Sequence, residues 1–385
     1  MDIKQVYPLV NAATNEAIGT SVVLNEDLTN TVDVGEAIFN AEAVDRYVRS
    51  LVNHIGKVVF VNRVYAGSAP SVLMDGWEYG SIMEKIRVDL PEATENESWE
   101  LVDNASYDPF VFRKPKVSAK FFNKRVTFDI DISITEMQVK QSFSNATQLN
   151  AFVSMIFTAV ENSMTLKIDG LIMRTINNFS AETLHDMFED GNYDAGSGVR
   201  AVNLLYLYNQ KFPNATISAS EALTTPEFIR FMSMTMANYV KRLATFSTLF
   251  NIGGTTKFTP KDRLHIVMLS DVMSAAGAYL QSDTFHEQFT ALPAAETVPF
   301  WQGSGKDYTF EEISSIDVKT ASGASVKTSG IVCVMFDRDA LGVTNMDRRV
   351  RTNYNGKAEF MNYFYKYDAG YFNDLDENFV VFYIA

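Results

Sequence analysis

Residues 126–134 constrain this chain more than any other stretch. Val126, Phe128, Ile130, Ile132 and Ile134 alternate with Thr127, Asp129, Asp131 and Ser133, the period of a strand with one apolar and one polar face. The strand is expected over Lys116–Thr135. Upstream, Trp77–Leu90 carries a second strand signal, with Ile82, Glu84, Ile86, Val88 and Leu90 on one face and Met83, Lys85, Arg87 and Asp89 on the other. Between the two, Pro91–Pro115 is a polar excursion containing Glu92, Glu95, Glu97, Glu100, Asp103 and Asp108. Together they describe a long two-stranded flap with an acidic tip. An isolated ribbon is marginal in water and its edges invite pairing with other chains, so the flap is expected to lie on a neighbour.

A helix signal follows directly. Leu149, Phe152, Val153, Ile156, Phe157, Val160, Met164, Ile168, Leu171, Ile172 and Ile176 recur at helical spacing. Asn145 is expected to cap the start, with Gln148 completing a capping box. A helix over 145–178 spans about 50 Å, long enough to act as a spine, and Gly170 inside it marks an expected bend or close contact.

The remainder reads as α+β. Residues 1–40 are polar and weakly periodic, an expected extended arm with little core. A helix capped by Asn40 runs to about His54, with Val44, Tyr47, Val48, Leu51 and Val52 on its apolar stripe and Gly56 ending it; Lys57–Tyr65 is strand-like. Asp190–Gly198 is a loop. Thr225-Pro226-Glu227 opens a helix whose stripe is expected from Phe228 through Phe246 and Phe250. Gly253-Gly254 is a turn, Leu264–Leu269 a buried strand, and a helix runs from Ser270 or Asp271 to about Gln281. Beyond Pro299 strands dominate, with Gly330–Phe336 apolar and Asn355-Gly356 a hairpin signal. The 28 Phe, 17 Tyr and 3 Trp are dense near the end of the chain, which suits sheet core or subunit contacts.

Chemistry is hard to find. With 46% hydrophobic and 21% charged residues among 385, the chain is a folded one. Lys+Arg of 33 against Asp+Glu of 47 gives a net charge of -14, which argues against gripping nucleic acid by phosphate neutralisation. Cys333 is the single cysteine, so an intramolecular disulfide and a cysteine zinc cluster are excluded. The start, from Met1 to Gln5, lacks a secretory apolar run, and no stretch is long and apolar enough to be read as a membrane span; synthesis in a reducing cytoplasm is expected. His54, His185, His265 and His286 have no metal-site spacing; His265 reads as a structural histidine in an apolar strand. Gly191–Gly198 lacks a phosphate-loop spacing. Asp129 and Asp131 share a strand face, where they could serve acid/base or cation chemistry or simply face water. Asp374, Asp376 and Glu377 resemble a calcium loop only loosely, without its twelve-residue pattern. Cys333 reads as a small buried hydrophobe. Arg348, Arg349 and Arg351 could pair with an acidic neighbour such as the flap tip, or form a solvated turn. No catalytic residue, cofactor-binding residue or metal ligand is assigned.

The order of parts resembles the major capsid protein of tailed double-stranded DNA bacteriophages, with the Hong-Kong-ninety-seven-type fold. Locally, Asp75–Gly80 entering the flap, Ser282–Phe285, Asn355–Phe360, Asp368–Phe372 and Glu377–Val381 are similar to segments of that family. The resemblance implies an N-terminal arm and helix (1–56), an extended loop with flanking strands (57–134), a peripheral domain (135–198 and 328–385) containing the spine helix 145–178, and an axial domain (199–327). It further implies self-assembly as hexamers and pentamers into an icosahedral shell enclosing double-stranded DNA without sequence-specific binding, with no cofactor, no metal, no membrane and no catalysis. The shell would belong to the virion and be assembled in the host bacterial cytoplasm. A long charged N-terminal extension is lacking, so a separate scaffolding protein is expected, alongside portal and minor head proteins; no lysine–asparagine crosslinking pair is assigned. A cellular nanocompartment shell of the same fold is a close alternative. A hydrolase or carbohydrate-binding protein using Asp129, Asp131 or Trp77–Tyr79 is a more distant one.

Overall fold

The computed structural model describes residues 3–19, 23–25, 29–41, 43–44, 46–51, 54, 69–74, 83–88, 110, 112, 114–280, 295–302 and 308–385. In chain order these carry α1 (Ile3–Ile18), α2 (Thr31–Asn40), β1 (Leu73–Met74), β2 (Met83–Val88), β3 (Val117–Phe122) and β4 (Arg125–Thr135). Then come α3 (Glu136–Ser142), α4 (Ala146–Met187), β5 (Ala201–Asn203), α5 (Leu204–Lys211), α6 (Ala219–Ala222) and α7 (Pro226–Leu243). The last third holds β6 (Leu264–Leu269), α8 (Ser270–Leu280), β7 (Glu296–Val298), α9 (Phe310–Ile313), β8 (Ile316–Lys319) and β9 (Ser325–Thr328), closing with β10 (Ile331–Asp337), β11 (Leu341–Asn355), β12 (Phe360–Asn373) and β13 (Phe379–Tyr383). The strands build a four-stranded sheet ordered β1-β11-β12-β4, a five-stranded sheet ordered β5-β13-β10-β6-β7, and two-stranded pairs β2-β3 and β8-β9.

The N-terminal region is not an extended arm. α1 buries Leu9, Val10, Ala13 and Ala17, and α2 buries Thr31, Val34, Gly35 and Ile38, both at helical spacing. Their contact side chains are small, so the apolar pattern is faint in the sequence, yet small residues are what allow close packing: a Cβ on Gly35 would lie 2.6 Å from that of Phe143. Asn11 ties the following turn, accepting from Leu24 N at 2.6 Å and donating to Leu24 O at 3.0 Å. Asn40 is the last residue of α2 rather than a cap, and residues 46–51 form a separate helical segment whose Tyr47, Val48 and Leu51 are buried. The expected strand Lys57–Tyr65 and the segments Asp75–Gly80 and Ser282–Phe285 lie outside the described residues.

The expected strand Lys116–Thr135 is two strands. The pairing breaks at Asn123-Lys124: β3 pairs with β2 antiparallel, whereas β4 joins β12, from Thr135 opposite Phe360 to Arg125 opposite Gly370. The clean alternation belongs to β4 alone, because only β4 has one face on the core, setting Ile130 beside Tyr365 and Ile132 beside Tyr363. Thr135 then caps α3 with a capping box closed by Gln138.

α4 is the spine, 42 residues and therefore about 63 Å long. Asn145 accepts from Gln148 N at 2.9 Å, but the Gln148 side chain turns to Ser144 instead of closing the box. No atom lies within 4 Å of a Cβ built on Gly170, so no close contact requires that glycine. The helix outruns its sequence signal by nine residues, 178 to 187, because its last turns are buried on polar sides too. Thr175, Ser180 and Thr183 are buried, and each donates its hydroxyl to the carbonyl four residues back, at 2.8–3.0 Å. Buried hydroxyls satisfied this way cost little, and they erase the amphipathic pattern.

The terminal strands are divided between the sheets. β11 and β12 run beside β4, whereas β10 and β13 form the centre of the five-stranded sheet, flanked by β6 and β5. Every residue of β10 and β13 is buried. Phe379 stacks on Phe179 of the spine at 4.1 Å and on Phe336 at 5.8 Å, which joins the two sheets through α4. Gly330, at φ +84, enters β10 where a Cβ would lie 2.0 Å from the Ile384 carbonyl; only glycine fits. α7 ends at Leu243, so Phe246 falls beyond the expected stripe and is exposed. Thr225 gives its hydroxyl to Glu221 O and makes no side-chain cap.

Candidate functional site

The ribbon β2–β3 packs against its own chain with the wrong face by ordinary standards. Its register sets Lys85 opposite Lys120, Ile86 opposite Ala119, Arg87 opposite Ser118 and Val88 opposite Val117. The face carrying Lys85, Arg87 and Lys120 is turned inward. The other carries Ile86 at 65% exposure, Val88 at 56%, Val117 at 60% and Phe121 at 63%. Core-facing sheets do the reverse.

The inward lysines and arginine land on the tight turn between β12 and β13. Lys85 Nζ donates to Asp374 at 2.8 Å and to Glu377 at 2.6 Å. Lys120 Nζ reaches Asp374 at 3.0 Å and Asp376 at 2.6 Å, and Arg87 reaches Asp376 at 3.0 Å. From the far side Lys257 donates to Glu377 at 2.7 Å. The turn itself is rigid: Asp374 N donates to Ala340 O, Glu377 N to Asp374 O, and Gly253 N to Leu375 O. Gly253 permits this approach, because a Cβ there would meet Asp376 Oδ1 at 1.9 Å.

Burial alone would push the Asp374 carboxyl up; hydrogen bonds and charge from Lys85 and Lys120 outweigh it and hold the group below the ordinary carboxylate range. Burial likewise works against the charged form of Lys85 and Lys120, but the facing carboxylates hold both above the usual lysine value. Such buried, multiply bonded pairs are costly to break from one side. Beside the network, a cleft of about 720 Å³ is lined by residues that include Arg87, Phe246, Lys257, Phe258, Arg263 and Asp339.

Asp374, Asp376 and Glu377 thus face ammonium and guanidinium groups, the arrangement of an ion-pair network rather than of a calcium loop. Asp129 lies on the exposed face of β4, 3.5 Å from Lys366, and Asp131 stands opposite Phe364. Among the described residues no group of three or more His, Cys, Asp or Glu is arranged to hold a metal. Arg349 and Arg351 lie on strand β11, not in a turn; Arg349 donates to Asp368 at 2.7 Å, on the next strand rather than to the flap tip, and Arg351 is exposed. Arg348 lies in the same strand, its side chain outside the described residues. Cys333 is fully buried, which pushes its thiol up. His265 stacks on Phe336 at 5.8 Å, and burial favours its neutral form. His54 lies 3.3 Å from Glu16, and His185 sits in the last turn of α4. The 191–198 loop is structural, with Ser197 accepting from Asn203 N and Gly198 N donating to Ala201 O. His286, Trp77–Tyr79 and the acidic tip residues Glu92–Asp108 lie outside the described residues. What the sequence reading missed is the meeting of Lys85 with Asp374, 289 residues apart; the visible signal was a cationic ribbon face and an acidic turn, with nothing to pair them.

The family described as Phi29-like phage major capsid protein matches residues 10–383. Among solved structures, the capsid structure of Staphylococcus phage Andhra has a TM-score of 0.52 at 10% identity, over 84% of this chain and 86% of that one. The capsid structure of the cyanophage P-SCSP1u has a TM-score of 0.44 at 7% identity, over 84% of this chain and 90% of that one. A comparison with curated proteins yields no match. The fold is that of tailed-phage capsid proteins, and with a family match spanning almost the whole sequence the chain belongs to the Phi29-like phage major capsid proteins, the shell proteins of the phage head.

Proposed function

We propose that this capsid protein assembles as hexamers and pentamers into an icosahedral shell around double-stranded DNA, in the host bacterial cytoplasm. The observation that carries the reading is the ribbon, whose apolar face is uncovered in a single subunit and needs other copies to bury it. In the shell, 199–327 would form the axial domain around capsomer centres. Residues 135–198 and 328–385 would form the peripheral domain, although β10 and β13, within 328–385, are hydrogen-bonded into one sheet with β5, β6 and β7 of 199–327. The net charge of -14 suits a container that must release its genome. A separate scaffolding protein, portal and minor head proteins complete the set of partners, and the role is structural, without catalysis. The hydrolase reading has little support from Asp129, which is an exposed strand residue beside Lys366.

Negative-stain microscopy and sedimentation of the full chain, produced alone and with its co-expressed head proteins, test this. Closed megadalton shells with both five- and sixfold clusters are expected. Small oligomers under both conditions would overturn it. Deleting Pro91–Pro115 should leave soluble subunits that fail to close.

A further inference from the structure

We infer that the ion-pair network at the base of the ribbon is a latch that fixes which face of the ribbon is offered to a second copy of the chain. This deepens the shell reading and rests on it. A two-stranded ribbon has two faces and, left to the hydrophobic effect, lays the apolar one on its own body. Here the opposite happens. Lys85, Arg87 and Lys120 hold Asp374, Asp376 and Glu377 at 2.6–3.0 Å, and Lys257 grips Glu377 from behind. That contact consumes the polar face and leaves Ile86, Val88, Val117 and Phe121 pointing outward, each more than half exposed.

The occupant of that outward face is another copy. The polar face is already used by the chain itself, the outward face is apolar apart from the exposed Glu84 opposite Phe121 near one end, and the family is one of shell proteins made of many copies. The latch also ties the ribbon to two other parts of the subunit. The turn it grips is held by Gly253 N and Thr255 Oγ1 on one side and runs straight into β13 on the other. Ribbon direction is therefore set by the same turn that anchors the terminal strand.

The lone cysteine makes a test direct. Cys333 is buried, so in Ala119→Cys full-length protein a thiol reagent reports the outward ribbon face. Free subunits and shells, separated by sedimentation, are labelled with the same maleimide. Fast labelling of subunits and roughly tenfold slower labelling of shells is expected for a face buried between copies. Slow labelling of free subunits, or equal rates in both, would overturn the assignment. A second variant addresses the latch. Lys120→Glu sets a carboxylate against Asp374 and Asp376, so it should lower the melting temperature of the free subunit; shell yield from the protein that stays folded should collapse, with Lys120→Arg restoring both. Wild-type yield from a folded Lys120→Glu protein would show that the latch does not present the face. If wild-type protein forms no shells even with its head proteins, the shell reading fails and this inference falls with it.

Discussion

Two antiparallel strand pairs in this molecule obey opposite rules. β10 and β13 are buried along their whole length, apolar on both faces, and stacked on the spine through Phe179, Phe336 and Phe379. The ribbon β2–β3 turns Lys85, Arg87 and Lys120 inward and exposes Ile86, Val88, Val117 and Phe121. The first pair is finished within one subunit; the second is not. Both converge on the turn Asp374–Glu377, so the difference is one of role rather than of location. A capsid subunit needs both kinds, one to be a stable brick and one to be adhesive only in a chosen direction.

The largest effect that could break this contrast is expected from Phe379→Ala. The ring packs between Phe179 and Phe336 with 1% exposure, and truncating a buried Phe costs about 3–5 kcal/mol. Urea unfolding of free subunits should show that loss as a lower midpoint at unchanged slope. A loss below about 1 kcal/mol would mean that the terminal strands are not the core that joins the two sheets. Gly330→Ala comes next. A methyl group there meets the Ile384 carbonyl at 2.0 Å and must adopt φ +84, so a cost of about 1–3 kcal/mol is expected in the same assay. A neutral result would mean that the junction between β9 and β10 yields more readily than its geometry implies.

How much of the contrast could be read from the sequence depends on which partner each residue meets. Alternation in Val126–Ile134 found β4 because one face of that strand meets the core uniformly. The residues of β3 escaped as a separate strand, since Val117-Ser118-Ala119-Lys120-Phe121-Phe122 shows no single period. The spine was legible as far as Ile176 and then lost, because Thr175, Asn177, Ser180 and Thr183 are buried polar residues, the three hydroxyls satisfied locally and the Asn177 amide donating to Trp301 O. The first forty residues looked like an arm because alanine and glycine make weak apolar stripes but good helix contacts. In the ribbon the two-face split of Met83–Val88 was visible, and its direction was not. Which face turns inward is decided by carboxylates near the end of the chain. Periodicity carries no information about contacts that distant.

A smaller effect, on the latch alone, is expected from acid. The folded-state pKa of Asp374 is lowered. Its contribution is therefore fully present above the ordinary Asp value of about 4 and is lost as pH falls through the lower folded value. Lys85 and Lys120 are raised, so their contribution holds through neutral pH and fades only in strong alkali, as pH climbs through their folded values. Hydrogen exchange of residues 83–88 and 117–122 should be flat from pH 8 to about 5, after correction for intrinsic rates, and rise below about 4 before global unfolding. Protection that persists to the pH of global unfolding would remove the carboxylates from the ribbon's anchorage.

The smallest effect is the sharpest discriminator. Ile86→Ser on the outward ribbon face should change free-subunit stability by no more than about 0.5 kcal/mol, as for a surface substitution. The same aliphatic-to-hydroxyl change at Val381, fully buried in β13, should cost several times more, because it loses apolar burial and places a hydroxyl among apolar neighbours. Two β-branched residues on paired strands would then differ in worth purely by what covers them. If Ile86→Ser destabilised the isolated subunit by 2 kcal/mol or more, on the order of a buried position, its side chain would already have a partner within the chain. The ribbon would then be an ordinary piece of core, and the unfinished half of the comparison would disappear.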